Sequence, residues 1–273
     1  MINKKLIKFF KKKSALKLLN QIFDSKNTII EKINGLYVQK HDERILQIVL
    51  RSQKVKIQKL QSYAKSFQRT VFVDIGANYG EFSMEMASNC IHVISIEPNP
   101  IVFSCLLKSF REMKNVELVN CAIVPSNYEG SYADLQINPF SSGGSHLIDS
   151  RSETKKTILI SSKTIKVSNL LSRISPLVSD IVIFKIDIEG YEYPIVESII
   201  RDFSSLKFII MFEFIEKNSV ISINEILREL QKLSIVNIYA FCSITDKISV
   251  LDENCSNIFS NGEILLANFE CSL

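Results

Sequence analysis

Apolar positions along this chain alternate between short continuous runs and helical stripes, and the regular part of that rhythm begins at Thr70. Val71, Phe72, Val73 and Ile75 make a nearly unbroken apolar run, the pattern of a strand buried on both faces of a parallel sheet. Asp74 interrupts it near its end, and Gly76 and Gly80 bracket a tight turn that opens a helix at about Glu81. The alternation then repeats. Ile91 to Glu97 reads as a second strand. Asn99 and Pro100 are a natural N-cap and first helical residue, and Phe103, Leu106, Leu107 and Phe110 form the buried stripe of the helix they start. Val116 to Val124 reads as a third strand and Asp180 to Asp187 as a fourth, followed by the turn Asp187-Ile188-Glu189-Gly190. A helix starts at Pro194 with Val196, Ile199, Ile200 and Phe203 inward, and Lys207 to Phe214 is a fifth strand. Ser222 and Glu225 make a capping box for a helix whose face is Ile226, Leu227 and Leu230. Val236 to Phe241 and Glu263 to Phe269 are two last strands, joined without an evident helix and hence antiparallel. Strand, turn and helix in this succession predict a doubly wound α/β sheet.

Two stretches depart from the rhythm. Ahead of Thr70, a strand at Leu36 to Gln39, a helix from about Glu43 and the stripe Ile57, Leu60, Ala64 and Phe67 predict a lid or a helical layer over the sheet. Between residues 125 and 162, serine and glycine gather in Ser141 to Glu153, flanked by strand-like runs at Gly130 to Ile137 and Thr157 to Ser161. A long polar loop inside a domain is a candidate for substrate contact. Val167, Leu170, Leu171 and Ile174 then predict a short helix capped near Ser168. The chain divides accordingly into an arm and lead-in, 1–69, and a main domain, 70–273.

At 273 residues and 46% apolar composition, the chain can bury one large core with at most a small appendage. No apolar run reaches the roughly 18 residues of a membrane span. Six cysteines show no C-x-x-C pair and follow no signal peptide, which reads as reduced thiols of a cytoplasmic protein. His41, His92 and His146 make no zinc pattern. The net charge of +4 hides an asymmetry: seven lysines between Lys4 and Lys17 precede the first acid, Asp24, and without them the body is near −3. That body is no nucleic-acid binder by charge. The arm, with Ile2, Leu6 and Phe9 and then Leu16, Leu19 and Phe23 on one helical face, suits either peripheral contact with an anionic membrane surface or a solvated helix that caps the domain or packs in a dimer.

The turn spacing is G-x-x-x-G, so the dinucleotide fingerprint fails at its second glycine. A pyrophosphate also seeks helix N-terminal N–H groups free of carboxylates. Here Asp74 leads into the turn, Glu97 ends the next strand 21 residues after Gly76, and Asp187 ends a later one. Three carboxylates on one sheet edge suit a ligand bearing an ammonium, a sulfonium and a ribose diol, as S-adenosylmethionine does. Small residues at the end of the third strand, Cys121 and Ala122 with Asn120 before them, would let an adenine approach the backbone. The bland alternative is a glycine turn that only packs a helix on a strand, and the position of Glu97 weighs against it.

The segments VFVDIGANYGEFS, IEPNP and FKIDIEGYEYPIVES, in this order, resemble the three signature blocks of the FkbM-type methyltransferase family over about Val71 to Phe214. The resemblance implies a Rossmann-like class I methyltransferase fold, with a seven-stranded sheet of order 3-2-1-4-5-7-6 behind the N-terminal helical extension. It implies S-adenosylmethionine as methyl donor and a hydroxyl of a sugar, glycan or secondary metabolite as acceptor. By position, Asp74, Gly76, Asn78 and Gly80, with Ala77 and Tyr79 in the same turn, would shape the methionine pocket. Glu97, followed by Pro98, would hold the ribose, and Asp187 would sit beside the sulfonium. Tyr191 and Phe214 depart from the family pattern on the acceptor side.

Methyl transfer from a sulfonium is an in-line displacement whose leaving group is already activated, so the enzyme must align the acceptor and help remove its proton. Asp187, Glu189 and Glu213, at the carboxyl ends of adjacent central strands, are the candidate catalytic set, with Asp187 first and Glu189 next as base. The same oxygens could hold a divalent ion such as Mg²⁺, for which the sequence offers no spacing to check. Each has a structural alternative: Glu189 could cap the helix beginning near Tyr193, Glu213 could pair with Lys185, and Asp187 could bind only the cofactor's amino group. The Asp-Ile-Glu-Gly turn lacks the Pro-Pro-aromatic or Pro-Cys signatures of nucleic-acid methyltransferases, which together with the acidic body argues against nucleic acid as partner and leaves a protein acceptor open. High lysine, isoleucine and asparagine usage is associated with AT-rich bacterial genomes, where surface polysaccharide is an acceptor candidate. A non-catalytic binding subunit of a glycan-modifying assembly is the competing class; it predicts loss of Asp74, the glycines or Glu97, and all are present.

Overall fold

The computed structural model describes residues 30–39, 42–138, 142–144, 146–147, 158–177, 179–215, 219, 221–233, 235, 237–242, 247–251 and 261–270. A hairpin comes first, β1 (Ile30–Ile33) and β2 (Leu36–Gln39), turning through Asn34 and Gly35 at φ of 49° and 88°. The helices α1 (Arg44–Val49) and α2 (Lys54–Lys65) follow. The alternating part comprises β3 (Thr70–Ile75), α3 (Glu81–Met86), β4 (His92–Ile96), α4 (Pro100–Ser109) and β5 (Val116–Val119). An inserted segment supplies β6 (Ala122–Val124), β7 (Tyr132–Ile137), β8 (His146–Leu147) and β9 (Ile158–Lys166). The chain then continues with α5 (Val167–Ile174), β10 (Ile181–Ile186), α6 (Glu192–Asp202), β11 (Phe208–Ile215) and α7 (Ile223–Lys232), and finishes with β12 (Asn237–Cys242), β13 (Lys247–Val250) and β14 (Asn261–Ala267).

The main sheet has the order β13-β12-β14-β11-β10-β3-β4-β5. Pairing is parallel from β5 across to β11 and antiparallel among β11, β14, β12 and β13. It therefore carries eight strands where seven were expected: β13 adds an edge strand that the sequence pattern did not reveal. A second correction concerns the third strand. The run Val116 to Val124 is broken at Asn120, whose side-chain amide donates to the carbonyl oxygens of Glu97 at 2.8 Å and Pro98 at 3.3 Å. The chain bends there, and β6 leaves the main sheet to join a four-stranded one of order β6-β9-β7-β8. Lys166, not Ser168, precedes α5, its N–H donating to Asn169 Oδ1 at 3.2 Å. Ser222 and Glu225 do form the capping box of α7.

All six residues of β3 are buried, because helices cover both faces of the sheet. Val71, Val73 and Ile75 pack toward α5, α6 and α7, while Phe72 packs toward α2 and α3. The alternation puts Asp74 on the α2–α3 side, in a position no solvent reaches. The hairpin seats Leu36 and Val38 on Val102, Cys105 and Leu106 of α4, and the Tyr37 N–H donates to Ser109 Oγ at 2.8 Å. The basic arm, residues 1–20, and most of Ser141 to Glu153 lie outside the described residues. Among the described residues, no helix is long and apolar enough to cross a membrane.

Candidate active site

At the carboxyl edge of the sheet, the turn after β3 is tied to β4: the N–H groups of Gly76 and Ala77 both donate to the Ile96 carbonyl at 3.0 Å. Asn78, at φ 52°, donates its N–H to Glu97 Oε2 at 2.9 Å, and the Asn99 N–H donates to Glu97 Oε1 at 2.8 Å. The Glu97 carboxyl is thus fixed by two backbone donors at the end of β4, with lone pairs left over. Burial pushes its pKa up to about 7, against the lowering effect of those donors.

One cleft runs along this edge. Gly76, Asn78, Glu97, Pro98, Cys121, Ala122, Asp187 and Glu189 all line it, so eight of the sequence-expected residues meet in one place. Ile123, Leu135 and Ile137 of the small sheet give it an apolar wall, and Ser142, Gly143 and Arg44 close another side. The remaining expected cofactor residues stand behind the wall. Asp74 is fully buried and accepts from Ser83 Oγ at 2.6 Å and the Ser83 N–H at 3.2 Å, linking β3 to α3. Ala77 and Tyr79 pack in the cluster around α4, the Tyr79 hydroxyl donating to Asp42 Oδ2 at 2.6 Å. Gly80, at φ 88°, precedes α3; a Cβ there would meet Phe110 at 2.5 Å, so this glycine serves helix packing.

The carboxyl end of β10 carries the acid-rich turn. Lys185, buried within the strand and directly opposite Asp74 in register, reaches Asp187 Oδ2 at 3.1 Å and Asp74 Oδ1 at 3.8 Å. Burial alone would raise the Asp187 carboxyl, but the Lys185, Arg44 and Lys56 charges outweigh it and hold it below the ordinary carboxylate range. Glu189 sits in the left-handed region at φ 60°, an uncommon conformation for a non-glycine residue. Burial, then the charges of Asp187, Glu213 and Glu192, push its pKa up to about 8. Glu213, on β11, is raised to about 7 by burial and by Asp187 and Glu263. Oxygens of Asp187, Glu189 and Glu213 all lie within 4.8 Å of one another, a set able to share protons or to offer oxygen ligands to a cation.

Two structural alternatives are corrected here. Glu192, not Glu189, caps the turn, accepting from the Ile188 N–H at 3.0 Å and the Gly190 N–H at 2.9 Å. Lys185 pairs with Asp187 and Asp74, while Glu213 faces a second pocket walled by Tyr191, Tyr193, Phe212 and Phe214. Glu189 borders both pockets.

Ser142 and Gly143 belong to the polar loop expected to contact substrate, whereas sequence reading missed Arg44, Leu135 and Ile137. The last two carry a signal, the alternate apolar positions of β7. Arg44 carries none, since only the fold brings the lead-in over the cleft.

A model of the methyltransferase FkbM domain matches residues 74–234. Similar solved structures include the METTL16 MTase domain, at 11% identity over 93% of this chain and 79% of that one, TM-score 0.45. Others are human methyltransferase 10 domain containing protein, 10% identical over 78% and 82%, TM-score 0.43, and an rRNA methylase from Streptococcus thermophilus, 11% identical over 78% and 96%, TM-score 0.39. No curated protein matches the chain.

Proposed function

Because the chain belongs to the methyltransferase FkbM domain family, we propose that it is an S-adenosylmethionine-dependent O-methyltransferase acting on a hydroxyl of a sugar or glycan, with Glu189 as the base. The cleft fits the cofactor by its donor set: a carboxylate with free lone pairs at Glu97, an apolar slot at Ile123, Leu135 and Ile137, and an ionised carboxylate at Asp187. The cofactor supplies a methyl group on a sulfonium. Glu97 would accept from the ribose hydroxyls, and Asp187 would pair with the ammonium.

The observation that carries the catalytic assignment is the placement of Glu189 on the border between this cleft and the second pocket. In the fraction ionised near neutral pH, which grows as pH approaches 8, a carboxylate with a pKa of about 8 is a stronger base than the depressed Asp187. This reverses the order of preference read from the sequence. The aromatic walls of the second pocket, Tyr191, Tyr193, Phe212 and Phe214, suit the apolar face of a sugar ring, with Glu213 able to bind its hydroxyls.

The test is transfer of labelled methyl from S-adenosylmethionine to a panel of mono- and polysaccharides. Glu189→Gln should lower turnover about 10²- to 10⁴-fold while leaving S-adenosylhomocysteine affinity unchanged. Unchanged turnover would remove Glu189 as base. Repeating the assay with and without Mg²⁺ separates a proton-accepting Glu189 from a cation held by the three carboxylates.

A further inference from the structure

Arg44 is the one cationic residue among the described residues lining the cofactor cleft. It comes from α1, outside the segment matched by the family model. Its guanidinium is incompletely used. One terminal nitrogen pairs with Glu81 Oε2 at 3.3 Å, whereas the buried Nε has no hydrogen-bond partner among the described residues. A buried donor without an acceptor is costly, so Glu81 alone does not satisfy this guanidinium; Nε itself is closed off from the cleft, and a ligand acceptor would meet the terminal nitrogens.

The residue is also held in place. Its N–H donates to Asp42 Oδ1 at 2.9 Å, and Asp42 further accepts from the Ser142 N–H at 3.2 Å and the Tyr79 hydroxyl at 2.6 Å. Ser142 Oγ in turn donates to Asn78 Oδ1 at 3.1 Å. Asp42 thus ties three separate segments together: the lead-in, the glycine turn after β3, and the loop after β7. Glu81, the partner of Arg44, is the first residue of α3 directly after that turn, and the Arg44 charge acts on Asp187, so the guanidinium lies near the turn and the carboxylate assigned to the amino-acid end of the ligand.

We propose that the Arg44 guanidinium binds the carboxylate at the amino-acid end of the cofactor. This rests on the reading of the cleft as an S-adenosylmethionine site. That ligand carries two positive charges and one negative one. Glu97 and Asp187 provide for its hydroxyl and ammonium groups, and its carboxylate needs a cation. Lys185 is engaged by Asp187 and Asp74 and does not line the cleft. Arg44 offers the planar fork suited to a carboxylate. The recognised chemistry is a carboxylate, and a uronate acceptor would be its other source.

Calorimetric titration distinguishes the sources. S-adenosylhomocysteine carries the carboxylate, and S-adenosyl-3-thiopropylamine keeps the ammonium but lacks it. Arg44→Gln should weaken S-adenosylhomocysteine by about ten- to hundredfold and leave the decarboxylated analogue within about twofold of wild type. Glu81→Gln, which removes the ion pair but keeps the guanidinium, should leave S-adenosylhomocysteine affinity within about threefold. Arg44→Lys, which keeps the charge without the fork, should fall between wild type and Arg44→Gln. Equal losses for both ligands, or none, would overturn the proposal. So would a loss confined to D-glucuronate titrated into S-adenosylhomocysteine-saturated protein, which would assign Arg44 to the acceptor. Failure of the wild-type chain to bind either adenosine ligand would instead refute the cofactor reading itself.

Discussion

The backbones of Gly76 and Asp187 lie in direct contact: a Cβ built on Gly76, at φ 77°, would stand 2.0 Å from the Asp187 carbonyl oxygen. The Asp187 N–H also donates to the Ile75 carbonyl at 3.0 Å. The glycine turn of one strand and the acidic turn of its neighbour are therefore a single rigid unit.

Gly76→Ala should consequently cost about 2 to 5 kcal/mol, from the positive φ and the overpacking together. Urea denaturation measures it. A wild-type midpoint would show that the two turns are not in contact.

Lys185 is enclosed between Asp74 and Asp187, with side-chain exposures of 8%, 1% and 21% respectively. Removing the ammonium by Lys185→Met leaves buried carboxylates without their cation, and a loss of about 3 to 5 kcal/mol is expected. Adding Asp187→Asn to that variant should restore part of the loss, because one of the unpaired charges is then gone. Strictly additive effects in the double variant would refute the pairing.

Glu97, Glu189 and Glu213 have pKa values raised to about 7, 8 and 7 in the fold, above the ordinary value of 4.5. The folded state binds these protons more tightly than the unfolded chain. Their contribution to stability is fully present below pH 4.5 and is lost as pH rises through 7 to 8. Asp187 contributes in the opposite sense, but its effect is confined to acid pH, below the ordinary carboxylate range. The urea midpoint of the ligand-free chain should therefore fall between pH 5.5 and 8.5, and Glu189→Gln should flatten that fall. An equally steep fall in the variant would remove Glu189 from the set.

Glu97→Ala deletes the acceptor for the Asn78 and Asn99 N–H groups as well as the ribose partner. S-adenosylhomocysteine affinity should drop by at least about thirtyfold, the equivalent of about 2 kcal/mol. Calorimetry at pH 8.5 reads it with the carboxylate ionised. A smaller change would mean that the ribose is held elsewhere.

Much of this architecture was legible in the residues alone. Nearly continuous apolar runs such as Val71 to Ile75, bounded by a glycine turn, are the pattern of strands covered on both faces, and carboxylates at their ends mark the sheet edge where ligands bind, so Glu97, Asp187 and Glu189 could be placed together from local pattern. What required tertiary structure was everything set by contacts between distant segments. The break at Asn120 comes from its hydrogen bonds to the residues after β4, and no periodicity records it. The opposite acidities of Asp187 and Glu189, two residues apart, arise because Lys185 reaches one while burial and neighbouring carboxylates act on the other. Arg44 enters the cleft because Asp42 is gripped by Tyr79 and Ser142, from segments far along the chain. A sequence encodes which residues repeat along one element; which charges face each other across elements is decided by how those elements pack.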